Sequence, residues 1–219
     1  MTVETHEILL AGERMQLHPS GAVFWEAQDL LLIADLHLGK AAHFRKHGIA
    51  VSPKVGQFNL DKLATVIQYF DPGGVLFLGD LFHSHHNQTW EEVGRFLAQY
   101  SHLRWELVLG NHDILPPQQY NKFDIHLQYE PLHYPPFYLT HHPMTDVPSD
   151  GYNLAGHIHP GVFLNGAARQ RLKLPCFLFG ERAGLLPAFG AFTGLGVVTT
   201  KLGDRVFVIA DNAVIPVSA

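Results

Sequence analysis

Short apolar runs alternate with turn residues from the start of the chain. HEILLA (6–11), RMQLHP (14–19), AVFWEA (22–27) and LLLIAD (30–35) have strand length, and Gly- or Pro-bearing turns separate several of them, so four short strands are predicted. Over residues 54–70 the period changes. Val55, Phe58, Leu63, Ile67 and Phe70 fall at roughly helical spacing and predict a helix. DPGG (71–74) is a turn, and VLFLGD (75–80) has the unbroken apolarity of a strand buried on both faces. TWEEVGRFLAQY (89–100) predicts a second helix, with Thr89 and Glu92 spaced for a capping box. WELVLG (105–110) is another buried strand, and PFYLTHH (136–142) and YNLAGHIHP (152–160) are strand-like runs that carry histidines at their ends. LPCFLFG, LLPAFG, VVTTKL and RVFVIAD make the tail from residue 174 strand-rich.

The order is strands, then helix–strand–helix–strand, then strands again. The alternating units suggest a largely parallel sheet covered by helices, and the two strand-rich ends are expected to build a second sheet. The predicted fold is α/β: a four-layer αββα sandwich of two mixed sheets flanked by helices, with residues 1–219 as a single domain.

Composition narrows the class. With 47% hydrophobic and 11% aromatic residues the chain is not disordered. No apolar stretch reaches the roughly 18 residues of a membrane span, and the N-terminus has no basic segment leading into a long apolar core, so a soluble, cytoplasmic protein is expected. The single cysteine, Cys176, excludes a disulfide framework and a thiolate metal cluster. A net charge of −5 argues against a broad basic surface. Histidine is the departure: 16 histidines against 15 Lys plus Arg, and histidine is the commonest metal ligand.

The positions of the polar residues make that excess meaningful. Five buried runs end in Asp35-Leu36-His37, in Asp80 with His83 beyond it, in Asn111-His112-Asp113, in His141-His142 and in His157-Ile158-His159. Each alone is ordinary turn chemistry or a structural histidine. Five at strand ends are not, and oxygen and imidazole donors of this kind suit a hard or borderline metal ion. If the backbone is extended there, Asp35/His37 and His157/His159 each aim two donors to one side. Leu36 and Ile158 then point away into apolar surroundings.

These blocks, DLH (35–37), GDLFH (79–83), GNHD (110–113), THH (140–142) and GHIH (156–159), resemble those of the calcineurin-like metallophosphoesterase superfamily, all five in order. Within it, DLHLGKAAHFRKHGIAVS, GDLFHS, GNHD and LPAFGAFTG resemble the ligase-associated DNA damage response endonucleases. The tail departs from them in reading FTGLG, where a glycine pair is expected directly after FTG. The resemblance implies a two-metal centre. Asp35, His37 and His159 would hold one ion, Asp80 would bridge, Asn111, His141 and His157 would hold the other, and His112 would be the catalytic imidazole. His141 is chosen over His142 because the first histidine of the block is the family ligand. His83 would touch substrate or support the ligands, and Asp113 would hold the His112 ring.

With two carboxylates among seven ligands, two divalent ions leave the site at about +2, a charge suited to a bridging hydroxide nucleophile and a phosphodiester. Manganese is the first choice of metal, with iron or zinc as alternatives. Basic residues follow two blocks: Lys40, Arg45 and Lys46 after DLH, and Arg169, Arg171, Lys173 and Arg182 after GHIH. They are either solvated faces or a phosphate track, with Lys40, Arg45, His83, Arg171 and Arg182 as candidate substrate contacts. Three functions stay open: a phosphodiesterase acting on DNA in repair, the same chemistry on a small nucleotide or cyclic diester, and a non-catalytic scaffold for protein partners. The resemblance adds a DNA ligase or helicase as partner, and self-association into homo-oligomers is compatible with the sequence.

Overall fold

A computed structural model describes residues 3–40, 54–83, 88–165, 170–191 and 193–217. The first sheet runs in chain order: β1 (His6–Leu10), β2 (Glu13–Leu17), β3 (Val23–Trp25), β4 (Leu30–Ile33), β5 (Gly74–Leu78), β6 (Arg104–Val108) and β7 (Ile125–Gln128). β1 to β4 form an antiparallel meander. Its first hairpin turns on Ala11 and Gly12, both at positive φ (49° and 87°), the backbone that a two-residue hairpin turn requires. From β4 to β7 the pairing is parallel.

β4 is apolar on both faces because it is an internal strand with a layer on each side. Leu31 and Ile33 join a cluster with Val75, Phe77, Trp105 and Leu107 and with the helices. Leu30 and Leu32 join Leu76, Leu78 and Val108 in a second cluster, facing Phe137, Leu139, Leu154, Phe177 and Phe179 of the other sheet. Helix α1 (Lys54–Phe70) places Leu60, Leu63, Val66 and Ile67 in the first cluster; α2 (Gln88–Gln99) adds Trp90, Val93, Phe96 and Leu97; α3 (Pro117–Asn121) adds Tyr120. No described helix is long and apolar enough to cross a membrane.

The second sheet holds β8 (Leu132–Tyr134), β9 (Phe137–Thr140), β10 (Tyr152–Ala155), β11 (Pro160–Asn165), β12 (Arg171–Phe179), β13 (Ala183–Leu185), β14 (Gly196–Val197), β15 (Arg205–Ala210) and β16 (Ala213–Val217). β9, β10 and β13 are mutually parallel. The result is a sandwich of two mixed sheets with few helices, as expected, with one correction to the strand bookkeeping. The N-terminal strands do not join the C-terminal ones in the second sheet. They extend the first, because β4 pairs with β3 on one edge and β5 on the other.

Candidate metal centre

The five polar blocks meet where parallel strands of both sheets end, just past Ile33, Leu78, Val108, Thr140 and Ala155. Five of the seven donors are on left-handed backbone, not extended. Asp35, His37, Asp80, His157 and His159 all have positive φ, between 50° and 66°, a region that costs a non-glycine residue roughly 1–2 kcal/mol. So the two i, i+2 pairs converge through left-handed turns beyond the strands, not through strand pleat. Strain of this kind concentrates at functional sites. Leu36 is buried in the helix-side cluster as expected, whereas Ile158 is half-buried.

Glycines before the donors let the loops approach. A Cβ on Gly79 would stand 2.2 Å from His141 Nδ1, one on Gly110 would stand 2.4 Å from Asp80 Oδ1, and one on Gly156 would stand 2.7 Å from Asp35 Oδ2. The glycines of GD, GN and GH are therefore packing requirements of the site.

Two overlapping groups of donors result. In the first, His159 Nε2 lies 3.3 Å from both Asp35 Oδ1 and His37 Nε2, and His37 Nε2 lies 3.9 Å from Asp35 Oδ1 and 3.8 Å from Asp80 Oδ2. In the second, His141 Nε2 lies 3.5 Å from Asp80 Oδ1, 3.0 Å from Asn111 Oδ1 and 3.1 Å from His157 Nδ1. Asp80 sits between the groups, one oxygen toward each.

The residues fit metal ions. Asp35 Oδ1 is buried with no hydrogen-bond partner, a costly state for a carboxylate oxygen without a cation. The His141 Nδ1–H donates to the Leu78 carbonyl at 3.1 Å, and the His159 Nδ1–H donates to the Gly194 carbonyl at 3.1 Å. In the neutral ring each Nε2 then carries the lone pair and faces other acceptors, an arrangement that a cation reconciles. Burial, followed by the charge of Lys40 and the neighbouring histidines, lowers the His37 pKa to about 2. His157 is lowered by burial and by His141 and His142. Both effects favour the neutral imidazole that binds metal.

Backbone donors lock the carboxylates. The His157 N–H donates to Asp35 Oδ2 at 2.8 Å and the His112 N–H to Asp80 Oδ1 at 2.9 Å. Asp113 does not hold the His112 ring. Its Oδ1 accepts the Phe82 N–H and its Oδ2 the Gly110 N–H, each at 3.0 Å, tying the GDLF and GNHD loops together. The His112 ring instead stacks on His83, with centroids 3.7 Å apart and planes at 29°, and its Nε2 lies 3.9 Å from Asp80 Oδ2. His83 Nδ1 in turn lies 3.4 Å from His37 Nδ1.

Not all of the expected substrate contacts gather here. His83 does, and so does half-buried Lys40, whose pKa is lowered by burial against the opposing pull of Asp80 and Asp35. Arg171 pairs with Asn165 at the far end of β11, roughly 20 Å along the strand from His159, and its guanidinium covers the Phe163 ring. Arg182 precedes β13 at the end of the sheet where parallel strands begin, bonded to the Val147 and Pro148 carbonyls. Lys173 donates to the Leu195 carbonyl. Arg45, Lys46 and Arg169 lie outside the described residues. A continuous basic track through Arg171 and Arg182 is therefore not what the strand geometry builds.

Sequence reasoning missed Glu130. Its carboxylate accepts the N–H groups of His141 (2.8 Å) and His142 (3.0 Å), and the His142 Nδ1–H (2.8 Å). Burial raises its pKa, but these donors outweigh burial and hold it below the ordinary carboxylate range. No motif marks it, since it acts from another strand connection.

Strands of two sheets that end in a shared cluster of carboxylates and imidazoles define a candidate site for divalent metal ions. The chain belongs to the calcineurin-like phosphoesterase family, whose sequence profile matches residues 29–173. It is also similar to the crystal structure of nuclease MPE from Pseudomonas putida, with a TM-score of 0.84 and 31% identity over 98% of this chain and 100% of that one. No curated protein matches it. The protein is thus a metal-dependent hydrolase of phosphoester bonds, and its family implies two divalent ions.

Proposed function

We propose that the protein is a two-metal nuclease that cleaves phosphodiester bonds in DNA. Asp35, His37 and His159 would hold one ion and Asn111, His141 and His157 the other, with Asp80 shared between the two positions. When bound, the ions supply a water activated for attack and Lewis-acid contacts to the phosphate. Manganese suits the mixed oxygen and imidazole donors, which include no sulfur.

The observation that carries the reading is where the donors face. Asp35 and His141 are fully buried, while Asn111 and His157 are exposed and the His112 side chain is 41% exposed. One rim of the centre is thus open to a polymer lying along the surface. The His112 imidazole, backed by His83, stands on that rim beside Asp80, placed to meet a phosphate oxygen or to protonate the leaving oxygen. Lys40 adds positive charge next to the carboxylates. The likeness to a nuclease supports a nucleic acid as substrate, and the resemblance of DLHLGKAAHFRKHGIAVS and LPAFGAFTG to ligase-associated endonucleases supports DNA, with repair as its setting.

The test is a substrate panel with Mn²⁺: single-stranded DNA, duplex DNA, RNA, cyclic nucleotides and an aryl phosphodiester. Internal cleavage of DNA that EDTA abolishes is the expected result. Turnover confined to cyclic nucleotides would refute the nuclease reading.

A further inference from the structure

His142 follows a proposed ligand, yet neither the family blocks nor the proposed function assigns it a part. Its ring centroid lies 4.6 Å from that of His141 and 4.5 Å from that of His157. One ligand nitrogen from each of the three lies within 4.8 Å of the others. Neighbouring imidazole donors on one ion stand about 3.0–3.6 Å apart at usual bond lengths, so the widest pair of the three has to close by about 1–2 Å to share one.

The ring is also held in a ligand's orientation. Glu130 Oε1 accepts the His142 Nδ1–H at 2.8 Å, while Oε2 accepts the backbone N–H groups of His141 and His142. A carboxylate can only accept, so Nδ1 carries a proton and Nε2 is the ring nitrogen left to face an ion. A carboxylate behind an imidazole is the general way proteins orient a metal ligand and raise its basicity. An exposed histidine with no task gains little from such a clamp, since surface ion pairs contribute at most about 1 kcal/mol.

We propose that His142 is a further metal ligand, oriented by Glu130, at the position held by Asn111, His141 and His157. The proposal rests on the two-metal reading above. It makes the two positions unequal. The first has two imidazoles, from His37 and His159, with the Asp35 and Asp80 carboxylates. The second has three imidazoles with the Asn111 amide and Asp80. More imidazole shifts preference toward the later first-row ions such as zinc, so the second position should be the tighter and the more zinc-selective.

The test titrates metal-stripped full-length protein with MnCl₂ and separately with ZnCl₂ by calorimetry, for wild type, His142→Ala and Glu130→Gln. Wild type is expected to bind two ions with different affinities. His142→Ala is expected to weaken the tighter one 10–100-fold and leave the other unchanged. Glu130→Gln, which keeps the ring but loosens it, should fall between. The His142 side chain is 45% exposed, so the stripped His142→Ala protein should melt with the wild type. Two unchanged constants in His142→Ala would overturn the proposal, as would equal weakening at both positions. Fewer than two ions on the wild type would overturn the two-metal reading, and this proposal with it.

Discussion

Gly79→Ala tests whether the glycines before the donors are packing requirements of the metal centre. Gly79 sits at φ +78°, and an added Cβ would lie 2.2 Å from His141 Nδ1, 2.4 Å from its Cγ and 2.7 Å from its Cβ. The ring cannot yield easily: it is fully buried, with its Nδ1–H on the Leu78 carbonyl and its Nε2 against Asn111. The left-handed backbone costs an alanine roughly 1–2 kcal/mol, and forcing a methyl into a filled core costs roughly 1–3 kcal/mol. The sum, about 2–5 kcal/mol, corresponds to a melting temperature lower by about 4–20 °C for a chain of this size. The assay is thermal and urea unfolding of Gly79→Ala, His141→Ala and the double variant. His141→Ala removes the two closest atoms, so the double variant should recover more than about 1 kcal/mol of the Gly79→Ala loss. A loss under about 1 kcal/mol in Gly79→Ala, or no coupling in the cycle, would refute the reasoning.

Three other outcomes follow from the same geometry. His112→Asn should keep both metals and lose about two to four orders of magnitude in turnover, with a smaller loss on a p-nitrophenyl diester, whose leaving group needs no proton; an equal loss on both substrates would leave only charge stabilisation as its role. Asp113→Asn sets an amide NH₂ against one of the Phe82 and Gly110 N–H donors and should cost about 1–3 kcal/mol by urea unfolding; a neutral effect would contradict its place as a tie between loops. His18 is held down to about 4 from 6.5 by burial and then by Lys62, so the unfolded chain binds the proton first on acidification. The resulting stability is present above about pH 6.5 and lost as pH falls through about 4, up to about 3 kcal/mol; His18→Gln should flatten that slope in unfolding titrations from pH 7 to 4, and an unchanged slope would count against it.

The elements legible in the sequence were those whose local pattern and tertiary role agree. Helix α1 has the bounds that its periodicity predicts, Lys54–Phe70. The buried face is set by Leu60, Leu63, Val66 and Ile67, however, and Phe58 is 57% exposed. Thr89 lies within helix α2 (Gln88–Gln99) and not at a cap. The strands missed were β7, β8, β11, β16 and all of β13 but its last residue, Leu185. β8 lies between Pro131 and Pro135, β11 opens on Pro-Gly, and β16 contains Pro216 but, among the described strands, pairs with β15 alone, where an edge tolerates proline. LLPAFG reads as a strand but is mostly a loop, whose Phe189 and Gly190 N–H groups donate to the Ala34 and Asp35 carbonyls. Its job is to back the DLH turn. The donor residues were legible because each follows an apolar run. Their left-handed backbone, and Glu130 reaching in from elsewhere, were not, because both arise from contacts between segments far apart in the chain.

The most direct test of the two-metal centre is a metal count. Stripped wild-type and Asp80→Asn proteins would be equilibrated with excess MnCl₂, freed of unbound ions and analysed for manganese per chain. Asp80 lies 3.8 Å from His37 Nε2 and 3.5 Å from His141 Nε2, between the two groups of donors. The wild type is expected to carry two ions, and Asp80→Asn fewer than one with no turnover of DNA. Wild-type protein without manganese, or an Asp80→Asn variant that keeps both ions and its activity, would contradict a bridged two-metal site.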